Sequence, residues 1–273
     1  MSNNPESIHT DHTMENTLIN RLGDELYQAL CSREVLAPLT DRYSNITIED
    51  AYHIQQRMIA RRMEKGARVV GKKIGVTSKV VMDMLNVHQP DFGYLLDTMI
   101  YNEGEAIPME TLIQPKAEGE IAFVLKRDLM GPGISNADVL RATECVMPCF
   151  EIVDSRIRDW KIRIADTVAD NASCGVFVLG DRAVDPRKVD LSTCGMVLEK
   201  NGEIAATGAG AAALGSPVNA IAWLANTLGR LGIALKAGEV VLSGSLAAML
   251  PVKAGDNLRV TIGGIGGCSV RFY

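Results

Sequence analysis

The stretch EGEIAFVL (118–125) begins with two acids and continues as an apolar run. β-Branched and aromatic residues in a short apolar run indicate a buried strand. On a strand, residues two apart point to the same face, so Glu118 and Glu120 are expected to lie side by side. Like charges at the edge of a buried strand repel each other and lose hydration, and a divalent cation would relieve both penalties.

A third acid, Glu151, stands inside another apolar stretch, CFEIV (149–153). A buried carboxylate without a partner would cost several kcal/mol, so this side chain needs a counter-charge. Three carboxylates with no His or Cys among them suit a hard cation, Mg²⁺ or Mn²⁺. Composition and spacing are equally compatible with pairing of these acids with Arg or Lys neighbours.

Two further charged residues, Lys73 and Asp91, are candidates for proton transfer. Lys72 and Lys73 point to opposite faces of a strand, so Lys73 faces inward if Lys72 faces solvent. An inward lysine near these acids could shuttle a proton or anchor a substrate, although a surface lysine with a buried stem fits the pattern as well. Asp91 lies in HQPDFG (88–93), where Pro and Gly predict an extended approach and a turn. It is either a general base on this loop or an ordinary turn aspartate.

Two polar segments between apolar strands, DSRIRDW (154–160) and DTVADNAS (166–173), indicate the rim of a site. Some of their charges are expected to form supporting ion pairs instead. Arg156 with Asp154 or Asp170 is the clearest example.

The turn SGS (243–245) ends a predicted strand and supplies Ser243 and Ser245. Backbone amides in such a turn can hold a carboxylate, so we predict that both serines contact a substrate. His88 alone does not indicate a metal ligand. The chain has only four His, and a His-based metal site is not expected.

The chain is predicted to be α+β, with a helical N-terminal segment on a larger, mixed β domain. Residues 1–13 are predicted to be a disordered leader, 14–66 the helical segment and 67–273 the larger domain. Capping boxes at Thr47 and Ser135 begin two of the helices. Predicted helices span 14–30, 47–65, 78–85, 135–146 and 217–231, and the four-residue spacing of Cys145 and Cys149 is interpreted as helical. Predicted strands span 69–76, 120–125, 150–153, 175–179, 196–198, 204–205, 240–242, 258–262 and 269–272, with a tight hairpin at residues 201–202.

Composition excludes several classes of function. The net charge is −5 and no face rich in Lys and Arg is interleaved with aromatics, so no nucleic-acid partner is expected. No apolar run reaches the roughly 18 residues of a membrane span. The six cysteines show neither CxxC nor zinc-site spacing and are expected to be free thiols in a reducing cytoplasm.

Five motifs together resemble one known family, the bacterial 2-oxopent-4-enoate hydratases of the fumarylacetoacetate-hydrolase-like fold group. The similarity covers about residues 18–273. The motifs are GKKIGVTSKVV (71–81), HQPDFGYL (88–95), QPKAEGEIAFVL (114–125), FEIVDSRIRDWKI (150–162) and DTVADNASCG (166–175). Each motif alone is weak, whereas the combination is specific.

The resemblance implies a ligand set, a fold and partners. It implies that Mg²⁺ or Mn²⁺ is bound by Glu118, Glu120 and Glu151, that Lys73 and Asp91 are catalytic, and that Ser173 lies near the substrate carboxylate. It also implies a barrel-like catalytic domain over 67–273. The expected assembly is a homo-oligomer, a pentamer or decamer, that associates with the 4-oxalocrotonate decarboxylase of the same pathway.

The function implied is metal-dependent hydration of the small molecule 2-hydroxypenta-2,4-dienoate to 4-hydroxy-2-oxopentanoate, in meta-cleavage degradation of aromatic compounds. The 4-oxalocrotonate decarboxylases resemble the chain in fold, in the paired and third glutamates and in VADNAS (168–173). Their counterpart of QPDF (89–92) usually lacks the acid. The alternatives are therefore a decarboxylase on the same scaffold, or a non-catalytic subunit that activates a partner.

Overall fold

The computed structural model describes residues 14–273, so the predicted leader 1–13 lies outside the described residues. Helices and strands alternate irregularly along this part of the chain, which confirms the α+β prediction. The α-helices are α1 Asn16–Ser32, α2 Leu39–Arg42, α3 Ile48–Met63, α4 Lys79–Leu85, α5 Asn136–Ala142, α6 Ile164–Ala169 and α7 Pro217–Arg230.

The strands form two sheets. They are β1 Val69–Gly75, β2 Asp91–Leu96, β3 Ile100–Asn102, β4 Ala106–Ile107, β5 Pro115–Leu125, β6 Thr143–Asp154, β7 Cys174–Leu179, β8 Gly195–Lys200, β9 Glu203–Ala209, β10 Val240–Leu242, β11 Leu250–Pro251, β12 Asn257–Ile262 and β13 Gly266–Phe272. The first sheet has the order β2-β1-β10-β5-β6-β7-β3, with β11 also paired to β5. The second has the order β4-β13-β12-β8-β9, in which β8 and β9 form the hairpin predicted at residues 201–202.

The second sheet packs on one face of β5, and Gly119 permits the close approach. A Cβ at Gly119 would lie 2.8 Å from Met196 Sδ and 2.9 Å from Val260 Cγ2. Because neighbours on a strand alternate between faces, Glu118 and Glu120 project to the opposite side. The EGE motif therefore separates a packed face from a face that carries two acids.

The N-terminal helices have a core of their own and reach the first sheet through α3. Leu22 and Leu26 of α1 pack with Met58 of α3 in a cluster that also includes residues of α6. The buried Gln55 of α3 donates through Nε2 to Phe92 O at 3.0 Å and to a carbonyl of α6. The capping box predicted at Thr47 is present at the start of α3. Helix α3 thus links the start of β2 to α6.

The predicted helix over 135–146 is wrong beyond Ala142. Helix α5 ends there, and β6 begins at Thr143, so Cys145 and Cys149 lie on a strand. Strand β6 pairs with β5 along one edge and with β7 along the other, and this pairing outweighs the local helical pattern. All six cysteines are free, as predicted.

Within the described range 14–273, no helix is both long enough and apolar enough to cross a membrane.

Candidate active site

Three glutamates from two paired strands converge on one point. Glu118 and Glu120 lie two apart on β5, and Glu118 is the register partner of Glu151 on β6. One carboxylate oxygen from each residue lies within 4.8 Å of the others. Strand pairing therefore brings together the three acids that the sequence singled out, although residues 120 and 151 are far apart in the chain.

Several oxygens of this cluster are buried without a hydrogen-bond donor among residues 14–273. They are Glu120 Oε1 and both carboxylate oxygens of Glu151. Glu120 Oε2 accepts a hydrogen bond from Gly244 N at 2.8 Å. A buried carboxylate oxygen with no donor is costly, and a hard cation is the partner that satisfies several such oxygens at once. The donor set therefore fits Mg²⁺ or Mn²⁺.

The cluster carries more negative charge than its neighbours neutralise. Burial, followed by repulsion from Glu151, raises the pKa of Glu118 to about 7. Burial, Glu151 and Glu118 together raise the pKa of Glu120 well above its usual range. Of the cations in the described chain, only Lys73 lies within salt-bridge distance of these glutamates. Pairing with Arg or Lys neighbours, the competing interpretation of the acids, therefore applies among the described residues only to Glu151, which pairs with Lys73.

Lys73 points into this cluster from β1. Its Nζ donates to Ala172 O at 2.8 Å and lies 3.1 Å from Glu151 Oε1, an ion-pair distance without hydrogen-bond alignment. Burial by itself would lower the pKa of Lys73, but Glu151 and Asp91 outweigh burial and raise it. The side chain is therefore an ammonium fixed between a carbonyl and the acids.

Lys72 is also buried, contrary to the premise that it faces solvent. Its Nζ lies 2.7 Å from Glu239 Oε1 and 5.7 Å from the centre of the Tyr94 ring, on the opposite face of β1. An ion pair and an aromatic ring compensate for the lost hydration. Lys73 thus points inward as expected, but Lys72 on the opposite face is buried rather than exposed to solvent.

Asp91 is the first residue of β2 rather than a loop residue, since it pairs with Gly75 of β1. Both of its carboxylate oxygens are buried without a hydrogen-bond donor in the described chain. Burial raises the pKa of Asp91 to about 6, and the Lys73 ammonium moderates the rise. A Cβ at Gly75 would lie 2.3 Å from Asp91 Oδ1 and 3.3 Å from Lys73 Nζ. The carboxylate occupies the space that any larger residue at 75 would need.

The carbonyl that holds Lys73 belongs to an unusual turn. Asn171, Ala172 and Ser173 all have left-handed φ values, 57°, 50° and 52°. Each such residue costs about 1–2 kcal/mol unless it is glycine, with less for asparagine. The side chain of Asn171 accepts from Tyr94 N at 2.7 Å and donates to Tyr94 O at 2.9 Å. Contacts with a distant strand therefore stabilise the turn.

A fully buried arginine brackets the same turn. Arg156 donates from Nε to Asp170 Oδ1 at 2.5 Å, from Nη1 to Cys174 O at 3.0 Å and from Nη2 to Asp170 O. The pairing of Arg156 with Asp170 is thus confirmed, while the side chain of Asp154 instead accepts from the amides of Ile113 and Gln114. Segments 154–160 and 166–173, predicted as the rim of a site, thus supply the Arg156–Asp170 ion pair that holds the turn.

The three predicted serines take different positions. Ser173 is buried beside Thr167, with 3.2 Å between their hydroxyl oxygens, and lines the cavity described next. Ser245 lines the same cavity, but its hydroxyl donates to Ala247 O at 2.6 Å. Ser243 is not among the lining residues, and its buried Oγ has no partner in residues 14–273. The predicted carboxylate-holding amide exists at Gly244, where it holds Glu120 of the protein itself.

A cavity of about 430 Å³ opens onto the acids. Lys73, Asp91 and Glu118 line one part of it. The remaining wall is largely apolar and comes from helix α4, from Trp160 and Ile162, and from residues 247–249. The arrangement gives a small organic acid a charged end to bind and an apolar wall to lie against.

Sequence reasoning missed several residues that shape the site. Ala172 contributes only a carbonyl, and Gly75 contributes only the absence of a side chain, so neither carries a chemical signal. Helix α4 was predicted, but its apolar residues were not recognised as a cavity wall. The apolar residues Val80, Val81 and Met84 on one short helix are the signal that could have suggested it.

The chain resembles known proteins along almost its whole length. Residues 66–272 match the family model described as fumarylacetoacetate (FAA) hydrolase C-terminal. A 2-hydroxypent-2,4-dienoate hydratase from Pseudomonas putida is 72% identical over 81% of this chain and 100% of that protein. A 2-hydroxyhexa-2,4-dienoate hydratase from Comamonas testosteroni is 59% identical over 93% of this chain and 97% of that protein.

A solved structure with a similar fold has a different activity. The 4-oxalocrotonate decarboxylase from Pseudomonas putida G7, complexed with magnesium and adipate, superposes with a TM-score of 0.93 and is 37% identical. The match covers 96% of this chain and 99% of that one. Fold alone therefore does not separate hydration from decarboxylation.

Proposed function

Because the chain belongs to the fumarylacetoacetate (FAA) hydrolase C-terminal family and, within it, to the 2-keto-4-pentenoate hydratases, we propose that its acidic cavity hydrates 2-hydroxypenta-2,4-dienoate. The enzyme is a hydro-lyase. The product would be 4-hydroxy-2-oxopentanoate, in the meta-cleavage degradation of aromatic compounds. The proposal rests above all on the three converging glutamates with Lys73 and Asp91 beside them.

Glu118, Glu120 and Glu151 would hold a divalent cation, Mg²⁺ or Mn²⁺. Their unpartnered buried oxygens and excess negative charge support this role. When bound, the cation supplies Lewis acidity toward the 2-oxygen and the carboxylate of a 2-hydroxy or 2-oxo acid. Magnesium is present in the related decarboxylase structure, which supports Mg²⁺ as the first ion to test.

Lys73 and Asp91 would move the protons of the reaction. Forming the 2-oxo acid takes a proton from the 2-hydroxyl group and adds one to C5. Water addition at C4 then releases one proton and requires one at C3, so each step needs one acceptor and one donor. With a pKa of about 6, Asp91 is a carboxylate at neutral pH and suits the acceptor role. The Lys73 ammonium suits stabilisation of negative charge and return of a proton.

Substrate orientation would come from the cavity wall beside Lys73. Ser173 lies there with Thr167, and both hydroxyls can donate to a carboxylate. Ser245 of the 243–245 turn lines the same cavity. We propose Ser173 as the main contact with the substrate carboxylate. Ser243 and Ser245 would have weaker roles, because Ser243 does not line the cavity and the Ser245 hydroxyl donates to Ala247 O.

Decarboxylation of 2-oxohex-3-enedioate is the second candidate, because a decarboxylase superposes with a TM-score of 0.93. The higher identity to a complete hydratase, 72% against 37%, favours hydration. The purified chain should consume 2-hydroxypenta-2,4-dienoate in a spectrophotometric assay with Mg²⁺ and lose this activity with EDTA. Release of CO₂ from 2-oxohex-3-enedioate, with no loss of the dienoate, would establish the alternative instead.

Two variants test the assigned roles. Glu151→Gln should weaken Mn²⁺ binding in a calorimetric titration, whereas Glu203→Gln, an exposed acid on β9, is the matched control and should bind normally. Asp91→Asn should reduce the hydration rate by about 10²–10⁴-fold with metal affinity nearly intact. Unchanged Mn²⁺ affinity in the first variant, or a near-normal rate in the second, would reject the corresponding role.

We further propose that residues 67–273 form the catalytic domain and 14–66 a helical segment, since every proposed site residue lies in the former. The homo-oligomer and the complex with a decarboxylase stay predictions. Analytical ultracentrifugation of the chain alone, and with the 4-oxalocrotonate decarboxylase, would test both.

A further inference from the structure

The cavity is larger and more apolar than a five-carbon acid requires. Its volume of about 430 Å³ lies in the range of roughly 300–1,000 Å³ that holds drug-sized ligands. The acids occupy one part of it, so a substrate bound there by its carboxylate and 2-oxygen directs its far carbon, C5, toward the remaining wall. That wall has no partner in a substrate that ends at C5.

Helix α4 supplies the unpartnered part of the wall. Val80, Val81, Met84 and Leu85 all line the cavity, and no residue of α4 is buried. Val80 and Met84 are 79% and 70% exposed. These apolar side chains are exposed to water beside a charged binding site, so a ligand that covers them would gain binding free energy from the buried apolar area.

The wall carries no positive charge to receive a second carboxylate. In the described chain, Lys73, Asp91 and Glu118 are the only charged side chains that line the cavity. Two nearby lysines do not line the cavity: Lys116 Nζ lies 4.2 Å from the centre of the Trp160 ring, and Lys79 pairs with Asp83 on α4. A tail carboxylate would therefore meet methyl and thioether groups without a partner.

We infer that α4, Trp160 and Ile162 form a tail subsite that also accepts 2-hydroxydienoates with an uncharged alkyl group longer than methyl on C5 and disfavours a charged group there. This inference rests on the proposed function, because it takes the carboxylate end of the substrate to lie at the glutamates. The subsite discriminates against dicarboxylates, the class to which adipate in the related decarboxylase belongs. Met84, exposed on α4 and facing the cavity, determines this preference together with Val80.

Binding of saturated 2-oxo acids separates the tail subsite from the chemistry. Isothermal titration of the Mg²⁺-loaded enzyme would use 2-oxopentanoate, 2-oxohexanoate, 2-oxoheptanoate and 2-oxooctanoate. Each added methylene should lower Kd by about fourfold, from the apolar area that it buries. The isosteric pair 6-methyl-2-oxoheptanoate and 2-oxoadipate, which differ only in isopropyl against carboxylate, should differ in Kd by about 10²-fold.

Met84→Lys adds the missing positive charge. It should reduce the difference in Kd within the isosteric pair by about tenfold or more, by weakening the isopropyl ligand and pairing the carboxylate. Met63→Lys is the matched control, because Met63 is a half-exposed methionine at the end of α3 and does not line the cavity. It should leave every ratio unchanged.

The inference is overturned if Kd stays level or rises from 2-oxopentanoate to 2-oxooctanoate, or if 2-oxoadipate binds as tightly as its isopropyl isostere. An unchanged ratio in Met84→Lys also overturns it. These outcomes differ from failure of the proposed function, which would appear as absence of hydration of 2-hydroxypenta-2,4-dienoate whatever the Kd series shows.

Discussion

Gly75→Ala tests whether the placement of Asp91 determines the hydration rate. The new methyl carbon would lie 2.3 Å from Asp91 Oδ1, so the carboxylate must retreat by about 1 Å to reach an ordinary contact. Backbone strain does not enter, because Gly75 has no left-handed φ. A misplacement of about 1 Å in a reacting group can cost 10²-fold in rate, and we expect a fall in kcat of about that size.

The metal site should survive the same substitution. The three glutamates lie on β5 and β6, whereas the three atoms nearest to the added methyl group belong to Asp91 and Lys73. Mn²⁺ affinity measured by calorimetry should therefore stay within about twofold of the original, while the dienoate assay shows the loss in kcat. The free energy of unfolding should fall by about 1–3 kcal/mol, as for other overpacked positions.

Gly195→Ala is the matched control, because a Cβ at Gly195 would meet no heavy atom within 4 Å. This variant lies on β8 of the second sheet and should keep both kcat and stability. A near-normal kcat for folded Gly75→Ala would refute the reasoning. It would show that the position of the Asp91 carboxylate does not control the rate.

Three further outcomes follow from the fold and the charges. Arg156→Met should lower the free energy of unfolding by about 3–5 kcal/mol in urea, because it removes one member of a buried charge pair and leaves the Asp170 carboxylate with only the Ser155 hydroxyl and the backbone amide of residue 156 as donors; a loss below about 1 kcal/mol would contradict the stabilising role of this ion pair. Saturation with Mg²⁺ at about one hundred times Kd should stabilise the chain by about 2.7 kcal/mol, seen as a higher Tm that EDTA reverses; a Tm indifferent to Mg²⁺ would argue against a metal centre. Asp256 has its pKa lowered to about 2, since hydrogen bonds from Lys200 and Asn201 outweigh its burial. The ionised Asp256 carboxylate therefore stabilises the fold by at most about 2 kcal/mol above about pH 4, and this contribution is lost as the pH falls toward 2. The difference in free energy of unfolding between the original chain and Asp256→Asn should narrow over that range. A constant difference would show that Asp256 does not contribute to the pH dependence of stability.

Features fixed by neighbouring residues could be predicted from the sequence. The capping box at Thr47 and the hairpin at residues 201–202 depend on side chains and turns within a few positions. The pairing of Glu118 and Glu120 on one face follows from strand geometry alone. The resemblance then added Lys73 and Asp91, which spacing by itself left open.

Features fixed by distant contacts could not be predicted. Cys145 and Cys149 show a helical spacing, but β5 and β7 hold that segment as a strand from both sides. Lys72 looked like a solvent-facing residue because its partner, Glu239, lies 167 positions away. In both cases the local pattern was weaker than a tertiary contact that no local pattern reveals.

The turn at residues 171–173 explains why the orientation of Lys73 could not be derived from sequence. Three successive non-glycine residues adopt left-handed backbone there, which local preference opposes at each position. Arg156 and the backbone of Tyr94 provide the hydrogen bonds that offset this cost, and both come from elements outside the turn. The conformation points the Ala172 carbonyl at Lys73 Nζ, 2.8 Å away. The strained turn is therefore what fixes the position of the Lys73 ammonium. A relaxed turn would move the Ala172 carbonyl away and leave Lys73 with the glutamates alone.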